Sequence, residues 1–153
     1  ALLHDIGEVV HRQSHHKHSE YMILNGRIPG LESPEREMVA AVARAHRKSV
    51  PEPKKHNSYA VLASGKQAEV RKMAALLRIA DALDADHRQK IVRLRAEVTG
   101  KKVRLECEAM ANGNPPSVPE MHKHDAFEEV FDRKLVVEVT RAANPRRRAS
   151  RSE

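Results

Sequence analysis

The sequence predicts a mainly α fold: a helical bundle, then a small α+β subdomain made of a hairpin, a helix and a strand. Three observations predict it. Apolar residues recur at helical spacing up to about residue 90, and beyond it they alternate with polar ones, which is the period of a strand. Helix punctuation marks the first part, with Gly26 closing one run and Ser33-Pro34-Glu35 opening the next. The core must also be aliphatic, since 153 residues hold no Trp and only two Phe and two Tyr.

Each element follows in order. The opening stretch "ALLHDIGEVVH" is helical in character but has no Ser, Thr, Asp or Asn to cap it. A helix starting mid-pattern leads us to expect the C-terminal portion of a longer protein. Ser14 is expected to cap a helix through "HHKHSEYMILN", which Gly26 ends. Ser33 is the expected cap of a second helix, with Pro34 in its first turn and Glu35 at its positive end, running to about His46. "KSVPEPKKHNS" reads as a loop. Ser64 and Gln67 have capping-box spacing, so a long helix is expected from Lys66 to roughly His87.

Val92, Leu94, Ala96 and Val98 then alternate with charged or polar residues, as do Val103, Leu105, Cys107 and Ala109. With Thr99-Gly100-Lys101-Lys102 between them, this is a hairpin. "ANGNPPSVP" is a loop, "HDAFEEVFD" a short helix and "KLVVEVT" a strand. The expected division is a helical domain over 1–90, an α+β subdomain over 91–141 and a disordered basic tail over 142–153.

Composition narrows the function classes. The net charge is +7, but the last thirteen residues, "RAANPRRRASRSE", supply +4 of it, so the body carries no strongly basic face. A mildly positive body still suits phosphate polyanions. The single cysteine, Cys107, excludes an internal disulfide and fits a reducing compartment. No apolar run reaches membrane-spanning length and no signal peptide is visible, so a cytoplasmic protein with no membrane partner is expected.

One stripe of the long helix carries chemistry. Val70, Met73, Ala74 and Leu77 recur at helical spacing, and Asp81 lies eleven residues beyond Val70, on that same stripe. A buried carboxylate needs a cation or several donors. His4 and Asp5, side by side in an apolar run, pose the matching problem. One divalent ion would answer both, because imidazole and carboxylate are good ligands for such ions; a hydrogen-bonded polar cluster is the alternative. Of His15, His16 and His18, adjacent on one helix, one at most can face such a site, and His18 is the choice. The other two read as surface groups, as do His122 and His124, and Cys107 as a core residue of the hairpin. Lys17, Arg47 and Lys48 are candidate phosphate contacts.

The order "LLHDIG", "HHKHSEYMILNGRIPG", "VARAHRK", "AALLRIADALD" resembles the HD-type helical domain of the exopolyphosphatase/guanosine pentaphosphate phosphatase (Ppx/GppA) family over about residues 1–90. The hairpin and "AFEEVFDRKLVVEV" resemble the small piece that follows it there. The resemblance implies an HD-type bundle and a parent whose two actin-like (ASKHA) N-terminal domains, absent from this chain, hydrolyse phosphoanhydrides with Mg²⁺. It implies polyphosphate or guanosine pentaphosphate as ligand, a homodimer through the parent, and a fragment inactive alone. By motif, His4 and Asp5 match the His-Asp pair and Asp81 the distant acid, with His18 and His46 where binuclear relatives place further histidines. Mg²⁺ or Mn²⁺ is the implied ion.

Two other classes stay open. An autonomous HD phosphohydrolase would use a metal at His4, Asp5 and Asp81 to activate water against a phosphate ester or nucleotide. A nucleic-acid-binding module would use the basic tail, but it lacks the aromatic residues on which bases stack.

Overall fold

A computed structural model describes residues 1–47, 50–110 and 121–142, with the side chains of 121–123 left aside. Lys48, the loop "ANGNPPSVP" and residues 143–153 of the expected tail lie outside the described residues. The elements are α1 (His15–Asn25), α2 (Glu35–Ala45), the single turn α3 (Asn57–Ala60), α4 (Ser64–Leu83), β1 (Ile91–Thr99), β2 (Lys102–Ala109), α5 (Met121–Phe131) and β3 (Lys134–Arg141). This is a helical domain followed by a small α+β part, as the change of period predicts. Two compact units divide between Ile79 and Ala80.

In the first unit, the opening segment is not α-helical. It makes bonds to the third residue back, Glu8 N to Asp5 O at 2.9 Å among them, and forms a short 3₁₀ helix at Ile6–Val9. The reason is Gly7. Its amide donates to Ser19 Oγ at 3.0 Å, and a Cβ there would sit 2.3 Å from His15 O. The segment therefore turns tightly and lies directly against α1.

Ser14 precedes α1 with φ 65° and makes no side-chain cap, so the expected hydroxyl cap is replaced by a left-handed turn whose carbonyl accepts from Lys17 N at 2.8 Å. Gly26 ends α1 as expected, its amide bonded to Met22 O. Ser33 does not cap α2 either, since Pro34 takes the N-cap position. Ser64 lies inside α4, and Gln67 Nε2 donates to Tyr59 O at 3.1 Å. The expected capping box is thus spent on tying α4 to α3. α4 stops at Leu83, four residues before the expected end, where Asp84 accepts from Gln89 N at 2.7 Å in a turn.

α2 is the centre of this unit. Met38, Ala41 and Val42 pack with Tyr59, Leu62 and Val70. Ala40 and Ala43, on its other side, pack with Ile23 of α1. The buried alanines 40, 41, 43 and 45 let neighbouring helices approach closely, which suits a core with few aromatics. On α4, Val70 and Ala74 are buried and Leu77 packs on the core, whereas Met73 is 41% exposed and leaves the expected stripe. Arg78 takes the inward position, 4% exposed, and donates to Ala45 O at the end of α2.

In the second unit the sheet order is β1-β2-β3. β1 and β2 form the expected antiparallel hairpin, with Gly100 at φ 49° in its two-residue turn. β2 and β3 run parallel, so the chain must cross over between them, and α5 lies in that crossover. Ala126 and Phe127 of α5 are buried along with Val103, Cys107 and Leu135 of the sheet. Among the described residues no helix is long and apolar enough to cross a membrane.

Candidate metal centre

Three elements of the first unit converge on one carboxylate oxygen. The 3₁₀ segment carries Asp5 to the start of α1, and α2 delivers His46 as the residue that ends it. Asp5 Oδ1 lies 3.0 Å from His15 Nε2 and 3.3 Å from His46 Nε2, and those two nitrogens are 3.0 Å apart. The rings of His15 and His46 stack at 5.1 Å. His15 is 3% exposed and His46 is fully buried.

The second nitrogen of each ring decides the chemistry. His15 Nδ1 faces Arg12 O at 3.0 Å, and His46 Nδ1 faces Ala43 O at 2.6 Å. A carbonyl oxygen can only accept, so both Nδ1 atoms carry hydrogen. In the neutral rings both Nε2 atoms are then lone-pair donors, aimed at each other and at a carboxylate. Three electron-rich atoms this close repel unless a proton or a cation joins them. A histidine held through its other N–H by a backbone carbonyl is also the usual arrangement of a metal-ligating imidazole. The 3.0, 3.0 and 3.3 Å edges would suit a first-row divalent ion with ligands at roughly 2.1 Å.

The expected residues stand as follows. His4 lies beside this group, its Nε2 3.0 Å from Asp5 Oδ2 and its ring edge-on to His46 at 5.0 Å. His46 is at the centre. His18 is not in the Asp5 group: it is half-buried, with its Cβ against Gly7. His15 takes the expected place, and neither it nor His16 is a surface group, at 3% and 4% exposure. The opening segment lies along α1 from His15 to Ser19, with His15 beside Asp5 and His18 beside Gly7.

Asp81 stands half-buried in the last turn of α4, in the second unit. His124 is half-buried rather than at the surface. The side chain of His122 and all of Lys48 lie outside the described residues. Lys17 and Arg47 are exposed. Lys17 lines a polar groove of about 380 Å³ with Glu20, Tyr21, Arg44, Lys55 and Asn57, while Arg47 does not. Glu20 is engaged there by Arg44 at 3.5 Å and by the Ser58 hydroxyl.

Residues 1–115 match the family described as Ppx/GppA phosphatase, domain III. The chain belongs to the Ppx/GppA phosphatase family. It is also similar to a guanosine-5'-triphosphate,3'-diphosphate pyrophosphatase of Pseudoalteromonas translucida (strain TAC 125), 40% identical over 47 residues, which is 31% of this chain and 10% of that protein. The chain thus aligns with about a tenth of that relative's length.

Gly7 and Ser19, which fix the approach of Asp5, escaped sequence reasoning, as did the position of buried Arg78 beside the end of α2. A glycine two residues after a His-Asp pair was the available signal for the first.

Proposed function

We propose that this Ppx/GppA chain is the C-terminal part of an exopolyphosphatase or guanosine pentaphosphate phosphatase, binding the polyanion and contributing to dimerisation. Hydrolysis takes place on actin-like domains outside it. Family membership over residues 1–115 is the observation that carries this reading. The relative's printed activity, on guanosine-5'-triphosphate,3'-diphosphate, supports the substrate class. The polar groove offers Lys17 and Lys55, and a long polyanion is held by many modest, charge-assisted contacts of this kind. Binding of polyphosphate by the chain, weakened by added salt and by Lys17→Glu with Lys55→Glu, tests the reading. Binding unchanged by both would contradict it.

In the same unit, a divalent ion is held by Asp5, His15 and His46, with His4 beside Asp5 as a further ligand. Two imidazoles favour Mn²⁺ over Mg²⁺. The ion pins the 3₁₀ segment to α1 and α2.

The same group supports a second reading, an autonomous metal-dependent phosphohydrolase. Phosphate release from polyphosphate by the chain with Mn²⁺, abolished in His46→Ala, would replace the first reading with this one. Absence of turnover alongside retained binding is the outcome the first reading expects.

A further inference from the structure

We propose that β1 is a self-complementary edge through which two copies of this chain join their sheets. The inference rests on the dimerisation proposed above and names its surface. β1 is at one end of the order β1-β2-β3, so among the described residues one side of its backbone is unpartnered within the sheet. Such edges are usually blunted by charged side chains, proline or a bulge. β1 has no proline, its register irregularity falls at Ile91/Arg93, and the charges in its regular stretch 94–98, Arg95 and Glu97, are of opposite sign, so they can pair with a second strand as well as repel one.

The faces of β1 are equally telling. Direct cross-strand partners share a face, so Leu94, Ala96 and Val98 lie with Cys107, Leu105 and Val103. α5 is buried with the far part of this apolar face, where Val103, Cys107 and Leu135 are 7%, 1% and 3% exposed, yet Leu94 and Val98 are 51% and 62% exposed. An apolar row thus runs to an open edge.

One partner that fits this edge in both pattern and charge is β1 of a second copy, antiparallel, with the two-fold axis at Ala96. That register sets Leu94 against Val98 of the other copy, and Arg95 against its Glu97, each twice. Within the chain Arg95 already faces Glu106, and Glu97 faces Arg104. The charged row would therefore continue as Glu106, Arg95, then Glu97 and Arg104 of the second copy, alternating in sign across the join. Shifting the axis by one residue would oppose Arg95 to itself or Glu97 to itself, which is destabilising.

Sedimentation of the chain tests this, with Arg95→Glu and Glu97→Arg made separately. The chain should dimerise, and each variant should weaken self-association about tenfold or more. Mixing the two variants should restore it. One copy then brings carboxylates at both positions and the other brings guanidinium groups at both, so opposite charges meet on either side of the two-fold axis. Ala96→Cys should also give a covalent dimer on mild oxidation, while buried Cys107 does not. A chain monomeric at its solubility limit, variants that dimerise unchanged, or a mixture no tighter than its parts would overturn the proposal. Polyphosphate binding is measured on the same samples, so a chain that dimerises and binds polyphosphate, but whose variants dimerise unchanged, sinks this interface alone.

Discussion

His15 and His46 present the same ring nitrogen to Asp5 because each is turned by a carbonyl behind it, Arg12 O for one and Ala43 O for the other. Neither histidine can relax away, since both rings are enclosed. Asp5→Asn keeps the shape and removes the charge, so calorimetric titration should show Mn²⁺ affinity falling by more than the roughly 10- to 100-fold typical of losing a hydrogen bond that supports a ligand. At the same scale, burial pushes the Cys107 thiol up from its ordinary range. The unfolded chain then loses that proton first as pH rises. The contribution of this thiol to stability is therefore whole below the ordinary thiol pKa and declines above it. Denaturant midpoints should fall slightly at alkaline pH in the parent and less in Cys107→Ala, and thiol reagents should label Cys107 only on unfolding. His4 and Asp5 were legible as polar residues in apolar company, and His46 through its place in the family pattern. His15 was not, because choosing among adjacent histidines requires knowing how the preceding segment crosses α1.

That crossing is a property of elements. Gly7 lets the 3₁₀ segment lie against α1, where a methyl group would meet His15 O and Ser19 N at 2.3 and 2.5 Å. Gly7→Ala must push the segment outward, costing about 1–3 kcal/mol as overpacking does and pulling Asp5 off both histidines. Thermal unfolding should detect the first effect and Mn²⁺ titration the second. Ile23→Ala, at a fully buried position between α1 and α2, should cost roughly 2–4 kcal/mol. Leu76→Ala, 53% exposed on α4, should cost far less. Element type was readable from period: both hairpin strands, α5 and β3 fall where alternation or helical spacing put them. Caps were less so. Ser14, Ser33 and Ser64 all have the right chemistry, yet a left-handed turn, a proline and an extended helix start displaced them. The opening segment has a helical pattern but too short a run to propagate against the pull of Gly7 toward α1.

At the scale of the molecule, two units share one continuous helix, α4, with the Asp5 group in the first and the open β1 edge in the second. Charge follows the same division of labour. The polar groove holding Lys17 and Lys55 belongs to the first unit, so polyphosphate affinity should fall steeply with salt, and less steeply in the Lys17→Glu, Lys55→Glu variant. Association at the β1 edge, which combines backbone pairing and an apolar row with the Arg95–Glu97 pairs, should fall less steeply as salt rises. The parallel pairing of β2 and β3 was not legible, because strand order depends on where the crossover carries the chain and not on local period. Three atoms matter most, Asp5 Oδ1, His15 Nε2 and His46 Nε2, which we propose meet around a cation. Titrating Mn²⁺ into the chain under electron paramagnetic resonance tests this most directly. The expected result is one ion bound per chain, lost in both His15→Ala and His46→Ala while the helical content of each variant is preserved. Failure of the parent to bind Mn²⁺, or binding that survives both substitutions, would contradict it.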